Sequence, residues 1–230
     1  MRKEGPRFLF IHGAGGTSSK WRSMPEEIAL EKPININLRD EYYSTETNPT
    51  ISKYASMISE KVDEEVIVVG HSMGGLVGIE LASMNPKVKG LVLAASHYRI
   101  PVDQKVLDTL KSGEFPKGLF YASYSKNVSS ELLEEEKEDN AKVPVQVSYT
   151  DFNACNEYVD GEKAMNNLNI PMLAILGQKD RLLPRSVSND LSKLNSSIEI
   201  VFIEDAGHFV MLENSKKFYE TLLEYRNMYF

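Results

Sequence analysis

The stretch Val66-Ile67-Val68-Val69-Gly70-His71-Ser72-Met73-Gly74-Gly75 constrains this chain more than any other. Four β-branched residues run into Gly-x-Ser-x-Gly, and an apolar helical pattern (Leu76, Val77, Ile79, Leu81, Ala82) follows up to Pro86. That order specifies a strand, a sharp turn and a helix, with one hydroxyl at the apex. Gly70 and Gly74 suit the places where strand and helix come close. The Ser72 hydroxyl then stands at the positive end of the helix. The N–H of Met73 is a backbone donor for a tetrahedral oxyanion formed there. Alone, the pattern also fits a Gly-rich connection carrying an idle serine, so the rest of the chain decides.

The rest repeats the strand–helix rhythm. Arg7–His12 is short, apolar and bounded by Pro6 and Gly13, which reads as a buried strand. A glycine loop, Gly13-Ala14-Gly15-Gly16, follows it. Lys20–Glu31 reads as helical, with Pro25 forcing a start or kink inside it. Ile34–Leu38 is a second strand, and the polar stretch Arg39–Pro49 a loop. Thr50–Asp63 has Ile51, Tyr54, Ala55, Ile58 and Val62 on one face, with Thr50 as N-cap. Further strands are expected at Val88–Ala95, Met172–Gly177 and Ile198–Ile203, and helices at Pro184–Leu194 and Asn214–Tyr229. Between His97 and Asn169 the rhythm breaks into short amphipathic pieces, at Val102–Leu110, Gly118–Tyr124, Ser129–Asn140 and Val145–Asn156. A helical insertion is the economical reading. Apolar strands alternating with helices imply a parallel sheet covered on both faces, with ligands outside the carboxyl ends of the strands.

The totals narrow the function. The 230 residues suit one substantial domain with an insertion. A formal net charge of -7 argues against nucleic acid or an anionic membrane surface as partner. The single cysteine, Cys155, excludes an intrachain disulfide and reads as a small buried residue. No segment has the pattern of a signal peptide or a membrane span, so a cytoplasmic protein is expected. The four histidines have no metal-ligand spacing, and neither a dinucleotide fingerprint nor a phosphate loop occurs. Neither a metal nor a cofactor is expected.

The loops at the carboxyl ends of the strands carry a chemical set. A serine hydroxyl needs a base to become nucleophilic at neutral pH, and His208 in Ala206-Gly207-His208-Phe209 suits that role. A carboxylate must fix the imidazole tautomer, and Asp180, in the loop after its strand, is the best candidate. Asp205 is the rival, on the same loop as His208. The Ala14 N–H, one strand over from Ser72, could be the second oxyanion donor.

At this point the sequence resembles an α/β-hydrolase over essentially its whole length. The matching motifs are His12-Gly13 after the first strand, Gly70-His71-Ser72-Met73-Gly74-Gly75, Leu176-Gly177-Gln178-Lys179-Asp180, and Gly207-His208. They come in the family's order of serine, acid and histidine. The resemblance implies a triad of Ser72, Asp180 and His208, and an oxyanion hole from the N–H groups of Ala14 and Met73. It implies a core of residues 1–96 and 170–230, with 97–169 as a small helical cap over the pocket. Two departures stand out. The strands that many members place before the His-Gly loop are missing, so about six mainly parallel strands are expected. The Asp-x-x-Gly-x-Gly-x-Ser run of many members is replaced by Arg39-Asp40-Glu41-Tyr42-Tyr43-Ser44.

Each remaining feature has a plainer reading. The resemblance implies that His12 shapes its loop; His71 reads as structural, and His97 as packed or exposed rather than lining the pocket. The acidic run from Ser129 to Asp139 is a solvated helix face. Phe115, Phe120, Tyr121, Tyr124 and Phe152 read as packing within the cap, and any of them that face the pocket make it apolar. Arg99 is the cap's one arginine, which disfavours acidic substrates and coenzyme A thioesters. The resulting expectation is a serine hydrolase, a carboxylesterase-like enzyme acting on a small-molecule ester of small to medium size. Lactonase, C–C bond hydrolase or lyase, and haloperoxidase-like activities remain alternatives on the same residues, and a non-catalytic receptor is a third possibility. Substrate identity and oligomeric state are not legible in the sequence.

Overall fold

The computed structural model describes residues 5–38 and 49–230. The Arg39–Ser44 departure noted above lies outside them. Six strands form one parallel sheet: β1 (Arg7–Ile11), β2 (Ile34–Ile36), β3 (Val66–His71), β4 (Val88–Ala94), β5 (Met172–Gly177) and β6 (Glu199–Ile203). Their order across the sheet is β2-β1-β3-β4-β5-β6, and every neighbouring pair is parallel. The chain steps outward from β1 to β2, then crosses back to place β3 on the other side of β1. The carboxyl ends of β1 and β3 are therefore adjacent, and that is where such sheets open a crevice.

Both faces of the sheet are covered, and residue alternation assigns them. Leu9, Ile11, Val66, Val68, Leu91 and Leu93 point to one face. They pack under α2 (Ile51–Ser59), α3 (Met73–Met84) and α9 (Val187–Leu194). Phe8, Phe10, Ile67, Val69, Val92 and Ala94 point to the other. There they meet Trp21, Ile28 of α1 (Glu26–Ala29), α10 (Val210–Glu213) and α11 (Ser215–Tyr229). Burying apolar side chains on both faces of the central strands is what makes their sequences continuous rather than alternating.

Five helices separate β4 from β5: α4 (Gln104–Lys111), α5 (Lys117–Ala122), α6 (Ser130–Ala141), α7 (Val145–Glu157) and α8 (Gly161–Asn166). Side-chain caps from Asp103 and Ser129 start α4 and α6. One expectation changes. Lys20–Glu31 is not one helix but a 3₁₀ turn at Ser18–Trp21, then the short α1. Pro25 lies at the N-cap of α1, in extended backbone, because its ring and missing N–H forbid continuing a helix from the turn before it. Among the described residues, no helix is long and apolar enough to cross a membrane.

Candidate active site

Ser72 sits between the last residue of β3 and the first of α3, at φ 51° and ψ -117°. That conformation is rare for a residue with a side chain, and it persists because neighbouring bonds over-determine it. The Ser72 N–H donates to the Ala94 carbonyl at 3.0 Å. The Ser72 carbonyl accepts from the Gly75 N–H at 2.8 Å and the Ser96 hydroxyl at 2.7 Å. Close packing demands glycine on either side of the turn. A Cβ at Gly70 would lie 2.2 Å from the Gly74 carbonyl oxygen, and one at Gly74 would lie 2.2 Å from that of Ile11. Met73 begins α3, so its N–H is among the helix donors with no partner four residues back.

His208 and Asp180 are brought together from loops that follow β6 and β5. His208 Nδ1 donates to Asp180 Oδ2 at 2.8 Å, with both side chains almost fully buried. Asp180 Oδ1 accepts the N–H groups of Leu182 at 2.8 Å and Leu183 at 3.2 Å. Burial pushes the Asp180 carboxyl up, but the facing imidazole and these bonds outweigh it, and the group is held below the usual carboxylate range. An ionised carboxylate only accepts, so the Nδ1 proton is fixed and the lone pair of His208 lies on Nε2. The backbone of the histidine loop is tied as well. The His208 N–H donates to the Ser123 carbonyl at 2.9 Å, and half-buried Glu213 accepts from Gly207 at 2.9 Å and Ser125 at 2.8 Å. The rival Asp205 is exposed, at φ 54°.

Ser72, His208 and Gly13–Gly16 line one cavity of about 300 Å³. The Gly13–Gly16 loop leaves β1 beside β3, and a Cβ on Gly13 would stand 3.2 Å from the Ser72 Cβ. Ala14 is thus carried to the wall next to the hydroxyl. His12 Nε2 accepts the Leu38 N–H at 3.0 Å, which leaves Nδ1 to donate to the Gly13 carbonyl at 2.8 Å. His12 therefore holds the start of its loop. His71 Nε2 donates to the His208 carbonyl at 3.0 Å. Burial first, and the neighbouring His208 second, hold the His71 imidazole well below its usual range, so it stays neutral.

Other sequence expectations fare unevenly. His97 does not line the cavity: it is buried, stacks on Tyr98 at 4.1 Å between ring centroids, and bonds to the Arg99 backbone. Cys155 is buried. Phe115, Phe120, Tyr124 and Phe152 line the cavity instead of packing only among themselves, whereas Tyr121 is exposed. They share that wall with Ile100, Val102 and Leu119. Helical periodicity gives a face but not what the face meets.

The acidic helix α6 is mostly solvated, with one exception. Glu136 is fully buried at the cavity wall, where its Oε2 accepts from Lys20 Nζ at 2.7 Å and from the Tyr124 hydroxyl at 2.8 Å. Arg22 pairs with its other oxygen at 2.8 Å. Lys20 and Glu136 lie 116 residues apart and gave no signal in the sequence. The same is true of buried Asp151 and half-buried Glu213, two carboxylates that hold loop N–H groups. Arg181 also lines the cavity, with its guanidinium spent on the Tyr124 carbonyl at 2.8 Å. Among the described residues no cluster of three or more His, Cys, Asp or Glu could hold a metal ion.

The chain belongs to the alpha/beta hydrolase family, whose model matches residues 8–221. It is similar to the pimeloyl-(acyl-carrier protein) methyl ester esterase of Neisseria meningitidis, with 24% identity over 92% of this chain and 89% of that protein. It is also similar to a protein of Mycoplasma genitalium named as an esterase/lipase, with 27% identity over 95% of this chain and 88% of that one. Among solved structures, a thermophilic esterase superposes with a TM-score of 0.80 at 23% identity, covering 98% of this chain and 91% of its own. That likeness establishes the fold, and the two sequence relatives above carry esterase names.

Proposed function

We propose that the chain is a serine hydrolase that cleaves carboxylic esters of small to medium size through an acyl-enzyme on Ser72. One observation carries the reading: the His208–Asp180 bond of 2.8 Å leaves the imidazole lone pair on Nε2, in the same cavity as the strained Ser72. His208 takes the Ser72 proton as Oγ attacks the ester carbonyl. The oxyanion is held by the N–H groups of Ala14 and Met73, fixed donors that need no reorganisation as charge develops. His208 then protonates the leaving alcohol. It next takes a proton from water, whose attack on the acyl-enzyme releases the acid and returns the serine.

Residues 97–169 act as a cap that shapes the substrate site, because helices from this segment line the cavity through Phe115, Phe120, Tyr124 and Phe152. Its largely apolar walls favour an uncharged acyl or alcohol group. The one arginine on the wall outside the cap, Arg181, is engaged by backbone carbonyls rather than left to clamp a carboxylate. The esterases among the relatives support the reaction class, not a particular ester.

The test is labelling of the purified chain with a fluorophosphonate, and turnover of a panel of p-nitrophenyl esters from acetyl to octanoyl. Wild type is expected to be labelled at Ser72 and to turn over the shorter esters. Ser72→Ala should lose labelling and at least about 10⁴-fold in kcat while folding normally. An alanine variant as active as wild type overturns the mechanism.

A further inference from the structure

Ala14 can serve as an oxyanion donor only if its N–H keeps one direction and the turn that carries it keeps one place. The Gly13–Ala14 plane carries the Gly13 carbonyl and the Ala14 N–H on opposite sides. His12 Nδ1 and the Gly16 N–H hold that carbonyl, at 2.8 and 3.1 Å. The next plane carries the Ala14 carbonyl and the Gly15 N–H. Gly15 has φ +63°, and glycine passes between backbone regions at little cost, so nothing local fixes this plane. What holds it comes from 136 residues away. Asp151 Oδ2 on α7 accepts the Gly15 N–H at 2.9 Å. The other oxygen, Oδ1, accepts the Tyr54 hydroxyl of α2, also at 2.9 Å.

This contact is built into the surroundings. Asp151 is 2% exposed. Ser148, one turn earlier on α7, lies where a Gly15 side chain would be, with its hydroxyl oxygen 2.6 Å from the ideal Cβ position. The loop is therefore wedged against α7 at the place where the carboxylate reaches it. Burial pushes the Asp151 carboxyl up to about 6, against the two bonds that favour its ionised form. Asparagine could hold the Gly15 N–H with its oxygen and offer its amide to the Tyr54 oxygen, without a charge to bury.

We propose that Asp151 is a positioning residue for the reaction: by tying the Gly13–Gly16 turn to α7 through the Gly15 N–H, it holds the Ala14 N–H in place beside Ser72. The inference rests on the esterase reading above. It makes α7 more than a wall of the substrate cavity, since that helix also sets the geometry of the rim beneath it. Because Asp151 does not touch the substrate, its loss should appear in the chemical step and not in substrate binding.

The experiment compares wild type, Asp151→Ala, Asp151→Asn and Asp151→Leu as full-length proteins on p-nitrophenyl acetate. kcat is expressed per active site titrated with the fluorophosphonate, and folding is checked by circular dichroism and thermal melting. Asp151→Ala is expected to lower kcat about tenfold or more with KM within about twofold, an effect of misaiming one donor rather than deleting it. Asp151→Asn should recover most of that loss, to within about fivefold of wild type. A folded Asp151→Ala protein with wild-type kcat, or with its loss confined to KM, overturns the proposal. Should Asp151→Ala fail to fold, Asp151→Leu, which keeps the volume but has no acceptor for the Gly15 N–H, carries the test: lower kcat at unchanged KM is expected, and a folded Asp151→Leu protein with wild-type kcat overturns it. A wild type that neither labels nor turns over ester sinks the esterase reading itself, and the inference with it.

Discussion

Two sides of the strand-end rim hold a buried aspartate, and the two groups are tuned in opposite directions. On the His208 side, Asp180 faces an imidazole and two backbone N–H groups, and is held below the usual carboxylate range. On the Gly13–Gly16 side, Asp151 is buried as deeply but has only one N–H and one hydroxyl, and it is pushed up to about 6. Burial is common to both, so burial alone does not set the state of a carboxylate. The difference is whether a partner gains from the negative charge. Glu136 is a third case, buried with Lys20, Arg22 and Tyr124 around it. The side proposed for proton transfer has a charge-stabilised acid, and the side that holds a backbone N–H does not.

The largest effect is expected at Asp180. Asp180→Asn would supply an amide that can donate to His208, inviting the wrong tautomer. kcat for a p-nitrophenyl ester should then fall about 10⁴-fold with little change in fold. A loss under tenfold would mean that Asp180 does not set the histidine tautomer.

Removing the cation from the third carboxylate should make it behave as a poorly supported one. Lys20→Met leaves Glu136 buried with less compensating charge, and urea unfolding should show a loss of about 3 kcal/mol or more. A stability within about 0.5 kcal/mol of wild type would show that Arg22 and Tyr124 suffice.

The smallest effect is a gain. The folded value for Asp151 lies above its unfolded value of 3.8, so the native state binds this proton more tightly. Ionising it therefore costs stability: fully above pH about 6, progressively less on acidification, and not at all below the unfolded value. Asp151→Asn should accordingly raise stability by about 1–3 kcal/mol at pH 8, the gain fading as pH falls from 6 to 4. Melting curves across that range check it. A gain that grows on acidification would mean that the native carboxylate is stabilised as Asp180 is.

Much of the rim was legible because its chemistry depends on local turns. Gly70, Ser72 and Gly74 could be read together, since a strand meeting a helix within three residues leaves no room for side chains. Asp180 and His208 each follow a strand, and a parallel sheet gathers such positions at one edge. Elsewhere the sequence was less exact. Lys20–Glu31 became a 3₁₀ turn that ends at Trp21 and a four-residue helix, and that helix starts just after Pro25, where the proline was expected to force a start or a kink. The aromatic residues of 97–169 were read as self-packing, and four of them line the cavity.

The sequence by itself determined the parallel sheet, the nucleophile-type turn and the order of serine, acid and histidine along the chain, because strand periodicity and glycine spacing act over a few residues. Only the tertiary structure decided which wall Phe152 faces, that Lys20 meets Glu136, and that Asp151 reaches Gly15. Those contacts join residues more than a hundred positions apart, or a helix face to whatever lies across from it. They exist because apolar burial drew separate elements together and left each enclosed polar group to find a partner.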